Sequence, residues 1–167
     1  AFKGIPVSFG VRGPVSIHQA VSLSPIDIIS MQITKSVNSE DKEGKSSDTM
    51  GMKHRVDFGV YILKGSINVQ LSEKTGFTEE DAEKIKEAIR TLFVNDSSSA
   101  RPDGSMVMHK LYWWKHNCKI GQYSSHKVHN SIEIKKKEGV RNPRKIEDYE
   151  IICHELPGLA VEEYEGL

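Results

Sequence analysis

Long apolar runs are missing from this 167-residue chain; no stretch approaches the roughly 20 residues that a membrane-crossing helix needs. Net charge is missing as well. Lysine and arginine number 23 and aspartate and glutamate 23, so no global field draws the chain toward a polyanion or an acidic membrane. Cysteine is scarce. Cys118 and Cys153 stand far apart and the sequence shows no signal-peptide pattern, which fits free thiols in a reducing, cytoplasmic setting. There is no nucleophile elbow, no phosphate-cradling P-loop and no HExxH helix, so the common hydrolase, nucleotidase and zinc-protease signatures are excluded. The length suits one domain with a core of its own.

What the chain does have is a long polar segment between two strand-like runs. Ser36 to His54 reads SVNSEDKEGKSSDTMGMKH, with little that is apolar beyond Met50 and Met52. Before it, Pro25 to Thr34 is rich in isoleucine; after it, Arg55 to Leu63 alternates, with Val56, Phe58, Val60 and Ile62 on one face. A tight hairpin turn needs about two to five residues, and longer connections carry function or disorder. Two methionines beside Lys53, His54 and Arg55 suit a projecting finger that wedges apolar atoms between nucleotides while cations meet phosphate. A surface loop folded back on the body accounts for the same composition.

The remaining elements follow from local signals. Ile5 to Leu23 reads as extended chain with a turn at Arg12-Gly13-Pro14. Glu79 to Phe93 reads as a helix capped by Thr78, with Asp81 at capping-box spacing and a core stripe of Ala82, Ile85, Ile89, Leu92 and Phe93. Ile67, Val69 and Leu71 look strand-like before it. Asn95 to Ser105 is a loop, and Met106 to Lys115, Ile132 to Lys136 and Tyr149 to His154 are strands. Strand, capped helix, loop, strand is the order of half a ferredoxin-like fold, a platform for single-stranded RNA.

Three chemistries are open at this point. His116 with Cys118 and His126 with His129 could ligate zinc, but at no familiar spacing. Asp27, Asp48 and Asp57, the acids nearest the finger, could align an RNA 2′-hydroxyl for cleavage. Tyr112, Trp113, Trp114 and Tyr123 interleaved with Lys110, Lys115, Lys119 and Lys127 suit base stacking and phosphate neutralisation. Charge is also uneven along the chain. Lys135 to Lys145 is strongly basic, whereas Glu147 to Glu165 holds seven carboxylates and no lysine or arginine. Such an acidic tail could dock another protein.

Several long runs go further than composition. RGPVSIHQAVSLSPIDIISMQITKSVNSE (Arg12 to Glu40), SSDTMGMKHRVDFGVYILKGSIN (Ser46 to Asn68), TGFTEEDAEKIKEAIRTLFVNDSSSARPDGSM (Thr75 to Met106) and YWWKHN (Tyr112 to Asn117) resemble one family. It is the backbone subunit of the subtype I-C CRISPR Cascade surveillance complex. The resemblance implies an α+β fold: an RRM-like (ferredoxin-like) palm with a long thumb hairpin, one domain over residues 1–167 with the thumb loop at 36–54. It also implies a palm incomplete at the N-terminus, since the family's first palm strand, first helix and finger insertions have no counterpart here.

By the same resemblance, the chain is a non-catalytic, cytoplasmic protein that coats crRNA, needs no cofactor or metal, and stacks helically on copies of itself beside other Cascade subunits. Target DNA is engaged indirectly, by pairing with the guide. From position on the thumb and its base, Arg12, Lys35, Lys53, His54 and Arg55 are the expected phosphate or ribose contacts. Met50 and Met52 are the expected wedge, and Arg101 an added contact. The alternative activity is RNA cleavage by an acidic residue near the thumb, as the related type III backbone performs.

Overall fold

The computed structural model describes residues 10–35 and 49–167. In chain order the elements are β1 (Val15–Ile17), β2 (Val21–Ser22), β3 (Ile28–Lys35), β4 (Thr49–Val56), β5 (Tyr61–Ile62), β6 (Gly65–Ile67), α1 (Val69–Thr75), α2 (Glu79–Arg90), β7 (Lys110–Trp114), α3 (Ser125–His129), β8 (Ile132–Lys136), β9 (Tyr149–Cys153) and β10 (Val161–Glu165). This is an α+β chain. Among the described residues its strands assemble two by two: β1 with β6, β2 with β5, β3 with β4, β7 with β10, and β8 with β9. The described residues fall into two compact units. One holds residues 10–18, 64–133 and 152–167; the other holds 19–35, 49–63 and 134–151.

In the first unit, α2 forms where the sequence places it. The Thr78 hydroxyl accepts from the Asp81 amide (3.3 Å), and an Asp81 carboxylate oxygen accepts from the Thr78 amide (2.9 Å), closing the capping box. Those bonds hold the Asp81 carboxyl below the usual carboxylate range. The helix ends at Arg90 rather than Phe93, with Thr91 as its cap, so Leu92 lies beyond it and is exposed. Val69 and Leu71 are helical, not strand-like. Asn68 caps α1 by accepting from the Leu71 amide (2.9 Å), and Gly76 ends it at φ 72°, a conformation open to glycine. Local capping outweighs the alternating pattern there.

The acidic tail is a strand. β10 runs antiparallel to β7, with Glu162 opposite Trp113, Glu163 opposite Tyr112 and Tyr164 opposite Leu111. Its carboxylates meet cations of the same unit: Glu162 bonds Lys86 at 2.9 Å and Glu163 pairs with Lys110. These two side chains are thus engaged within their own unit. At its end, the Gly166 amide donates to the His109 carbonyl (3.2 Å) and the Leu167 amide to the Arg90 carbonyl (3.2 Å). A Cβ at Gly166 would overlap the Met108 carbonyl, so glycine is required by close approach.

Lys86, not an apolar residue, is the most deeply placed side chain of α2. It is only 5% exposed, bonded to Glu83 and Glu162 (2.9 Å each), and lies 5.1 Å from the Trp113 ring centroid and 5.3 Å from that of Tyr164. Full burial of apolar side chains is sparse, limited among the described residues to Pro14, Val128, Tyr149 and Leu159. A charged knot thus does part of the joining between α2 and β10. Burial alone would push the Lys86 ammonium down, but its bonds to Glu162, Glu83 and Tyr164 win and raise it above the usual lysine range. A raised value stabilises the fold below the unfolded lysine's pKa and is lost as pH climbs through the folded one. Lys86→Met is expected to cost about 1–2 kcal/mol in urea unfolding at pH 8. The difference from wild type should shrink in alkali above 10.5.

Candidate nucleic-acid interface

The second unit projects an eight-residue antiparallel ladder. β3 and β4 pair in continuous register from Ile28 opposite Val56 to Lys35 opposite Thr49. The strand after the polar segment begins at Thr49 rather than Arg55, so Thr49 to His54 are ladder and not loop. Residues 36–48, the rest of the expected thumb loop and the site of Asp48, lie outside the described residues. β4 stops at Val56, short of the expected Leu63. Asp57 leaves the ladder to bond Arg55 (3.1 Å), and a Cβ at Gly59 would meet the Tyr61 ring at 2.9 Å, so the chain bends there. Only Tyr61–Ile62 resume as β5.

Strand geometry sorts the expected site residues by parity. Side chains alternate between faces, and directly opposed residues share one. Met50, Met52, His54 and Val56 therefore share a face with Thr34, Gln32, Ser30 and Ile28, while Lys53 and Arg55 lie on the other with Met31 and Ile29. On the methionine face, Ser30 Oγ and His54 Nδ1 share a hydrogen bond of 2.8 Å, and Gln32 Nε2 donates to Met50 Sδ at 3.1 Å. Met50 is 69% exposed and Met52 56%. Lys53, His54 and Arg55 are exposed too. Met50 and Met52 thus lie opposite Lys53 and Arg55 across the ribbon, while His54 shares the side of Met50 and Met52, and Met31 and Ile33 share that of Lys53. Lys35 ends β3 opposite Thr49.

The other two expected contacts belong to the first unit. Arg12 is exposed on the irregular segment before β1. Arg101 holds Asp96 through two bonds of 3.1 Å, so its guanidinium is engaged within its own loop.

The aromatic platform is corrected by the structure. Trp113 lies beneath Lys86, Tyr112 stacks on Trp114 (6.2 Å, 27° between planes), and Lys127 covers Tyr123 at 4.4 Å. Lys110, Lys115 and Lys119 pair with Glu163, Glu79 and Glu73. Rings and cations that neutralise one another inside the unit do not form a ready phosphate-and-base surface. The candidate zinc ligands are likewise drawn apart: His116 Nδ1 accepts from the Gln122 amide (3.0 Å), His129 Nε2 contacts the Gly65 carbonyl (3.0 Å), and His126 contacts Asn130 (3.0 Å). Among the described residues, no three histidine, cysteine or acidic side chains cluster to hold a metal.

At the feet of the ribbon the second unit has a shallow cavity of about 220 Å³, a feature the sequence reading passed over. Pro25, Ile26 and Phe58 form its apolar wall, and Lys136, Arg141 and Arg144 bring the basic stretch to its rim. Tyr149 is buried there and donates its hydroxyl to Ser24 Oγ (3.0 Å). Asp148 accepts from the amides of Arg144 (2.7 Å) and Lys145 (3.2 Å), which holds its carboxyl below the usual range and fixes the turn carrying Arg144. The signal for this site was present in the basic run Lys135 to Lys145.

A protein-family model described as CRISPR-associated protein Cas7 matches residues 3–154. The chain belongs to the Cas7 family. Membership supports a CRISPR-associated, RNA-binding backbone subunit, the role in which an exposed ribbon bearing cations has a physical use. A search of curated proteins returned no match. No helix among the described residues is long and apolar enough to cross a membrane.

The exposed ribbon gives a direct chemical check. Mild peroxide should convert Met50 and Met52 to sulfoxides before the half-buried Met108, as read by peptide mass spectrometry.

Proposed function

We propose that this chain is a non-catalytic structural subunit that coats guide RNA in a type I-C antiviral surveillance complex. Copies stack helically along the crRNA beside other Cascade subunits and hold it for pairing with target DNA. The observation that carries this reading is the exposed β3–β4 ribbon, with Met50 and Met52 on one face and Lys53 and Arg55 on the other. Residues 36–54 and their flanking strands act as the thumb of an RRM-like palm that extends over 1–167 as one domain. Lys53, His54 and Arg55 on the ribbon, with Lys35 at its end and Arg12 and Arg101 from the first unit, contact phosphate or ribose. Met50 and Met52 displace a nucleotide.

Such a subunit holds RNA by backbone and shape, leaving sequence to base pairing. Binding then depends steeply on salt and little on RNA sequence. In the Lys53→Ala/Arg55→Ala protein, the slope of log affinity against log salt is expected to flatten by about 1.4, near 0.7 per lost single-strand contact. The affinity loss should be uniform across sequences. An unchanged slope in filter-binding titrations would remove the ribbon from the interface.

The non-catalytic assignment draws support from the acids near the thumb. Asp57 is bonded to Arg55 (3.1 Å), and Asp27 faces Arg144 (3.6 Å), so neither carboxylate stands alone as a base. Labelled RNA incubated with Mg²⁺ is expected to stay intact. Periodic cuts abolished by Asp27→Ala or Asp48→Ala would instead make the chain a ribonuclease.

A further inference from the structure

We propose that Arg144 is a positioning residue: it ties the two feet of the β3–β4 ribbon to their base, and a phosphate-class anion releases that tie. Asp27 immediately precedes β3 and Asp57 immediately follows β4, so the two carboxylates mark the points where the ribbon leaves the second unit. One guanidinium reaches both, at 3.6 Å to Asp27 and 3.8 Å to Asp57. Arg144 is itself held, because its amide donates to Asp148, and the neighbouring Tyr149 hydroxyl is anchored on Ser24. The ribbon's direction is thereby referred to a fixed turn rather than to its own two strands, which have no third strand beside them among the described residues.

The tie is built to exchange. Both distances exceed those of close charge-assisted hydrogen bonds, and the Asp27 and Arg144 side chains are more than half exposed, where ion pairs contribute little. A phosphate offers the planar guanidinium a bidentate partner of higher charge. Lys136 and Arg141 on the same cavity rim add to its attraction. When the anion takes Arg144, Asp57 keeps Arg55 at 3.1 Å, so only Asp27 loses a partner and the exchange leaves one exposed carboxylate to water. The ribbon would then be docked in the free protein and released to swing as the polyanion arrives. The inference rests on the RNA-coating reading only for the source of the anion.

Spin labels at Met31→Cys on the ribbon and Glu138→Cys beyond β8, in a chain carrying Cys118→Ser and Cys153→Ala, report the angle by pulsed dipolar spectroscopy. Without ligand a single narrow distance is expected. Adding pyrophosphate should broaden that peak, and Arg144→Ala should show the broadened distribution from the start with an unchanged thermal midpoint. Arg144→Lys, which engages one carboxylate at a time, should restore the narrow peak in part. A narrow peak that survives in Arg144→Ala overturns the tie, and one that survives saturating pyrophosphate in wild type overturns its release. Neither arm uses RNA. Failure of RNA binding would sink the proposed function and leave this result standing.

Discussion

Backbone pairing in twos is the constraint from which the rest of this structure follows. A strand in the middle of a sheet has its N–H and C=O groups satisfied on both sides; a strand in a two-stranded pair has one side open. Each of the five described pairs is in that position. Faces are consequently wet or only half covered, and buried apolar side chains are few. Stability must then come from local devices: capped helices, a lysine knot on β10, a tyrosine anchored on a serine. Such devices hold individual elements well and leave long ribbons free to present themselves.

Charge is spent differently in the two units. In the first, Lys86, Lys110, Lys115 and Lys119 pair with glutamates, and tryptophan and tyrosine rings lie under cations of the same unit. In the second, the basic turn concentrates at the foot of the ribbon, where two aspartates share one arginine. A chain with no net charge can therefore still offer a polyanion a local partner. That answers the objection which composition raises against a nucleic-acid role.

Legibility in the sequence tracked locality. The capping box at Thr78 and Asp81 is written within four residues, and α2 starts where it says. β8 matches its expected bounds, because Ile132 to Lys136 is bracketed by clear breaks. α1 was hidden since Val69 and Leu71 satisfy an alternating pattern and only Asn68 and Gly76 argue otherwise. β10 was hidden because its glutamates look solvated until β7 lies beside them, and that partner is some fifty residues away in a pairing no local rule predicts. The candidate site was half legible. Its methionines and cations were visible as types, but a strand starting at Thr49 was needed to see that Lys53 and Arg55 part from Met50 and Met52 while His54 stays with them. The cavity at the feet needs Asp27, Phe58 and Arg144 together, and only folding does that.

Because the ladder has a period of two, the ribbon obeys a parity rule. Inserting a single uncharged residue into β4 ahead of Lys53 would carry Met50 and Met52 over to the side of Lys53 and Arg55, with net charge untouched. Inserting two would restore the order. Length variation within this strand is thus tolerable in even steps and disruptive in odd ones, a restriction that operates on spacing alone and would be invisible to any comparison that scores residue type.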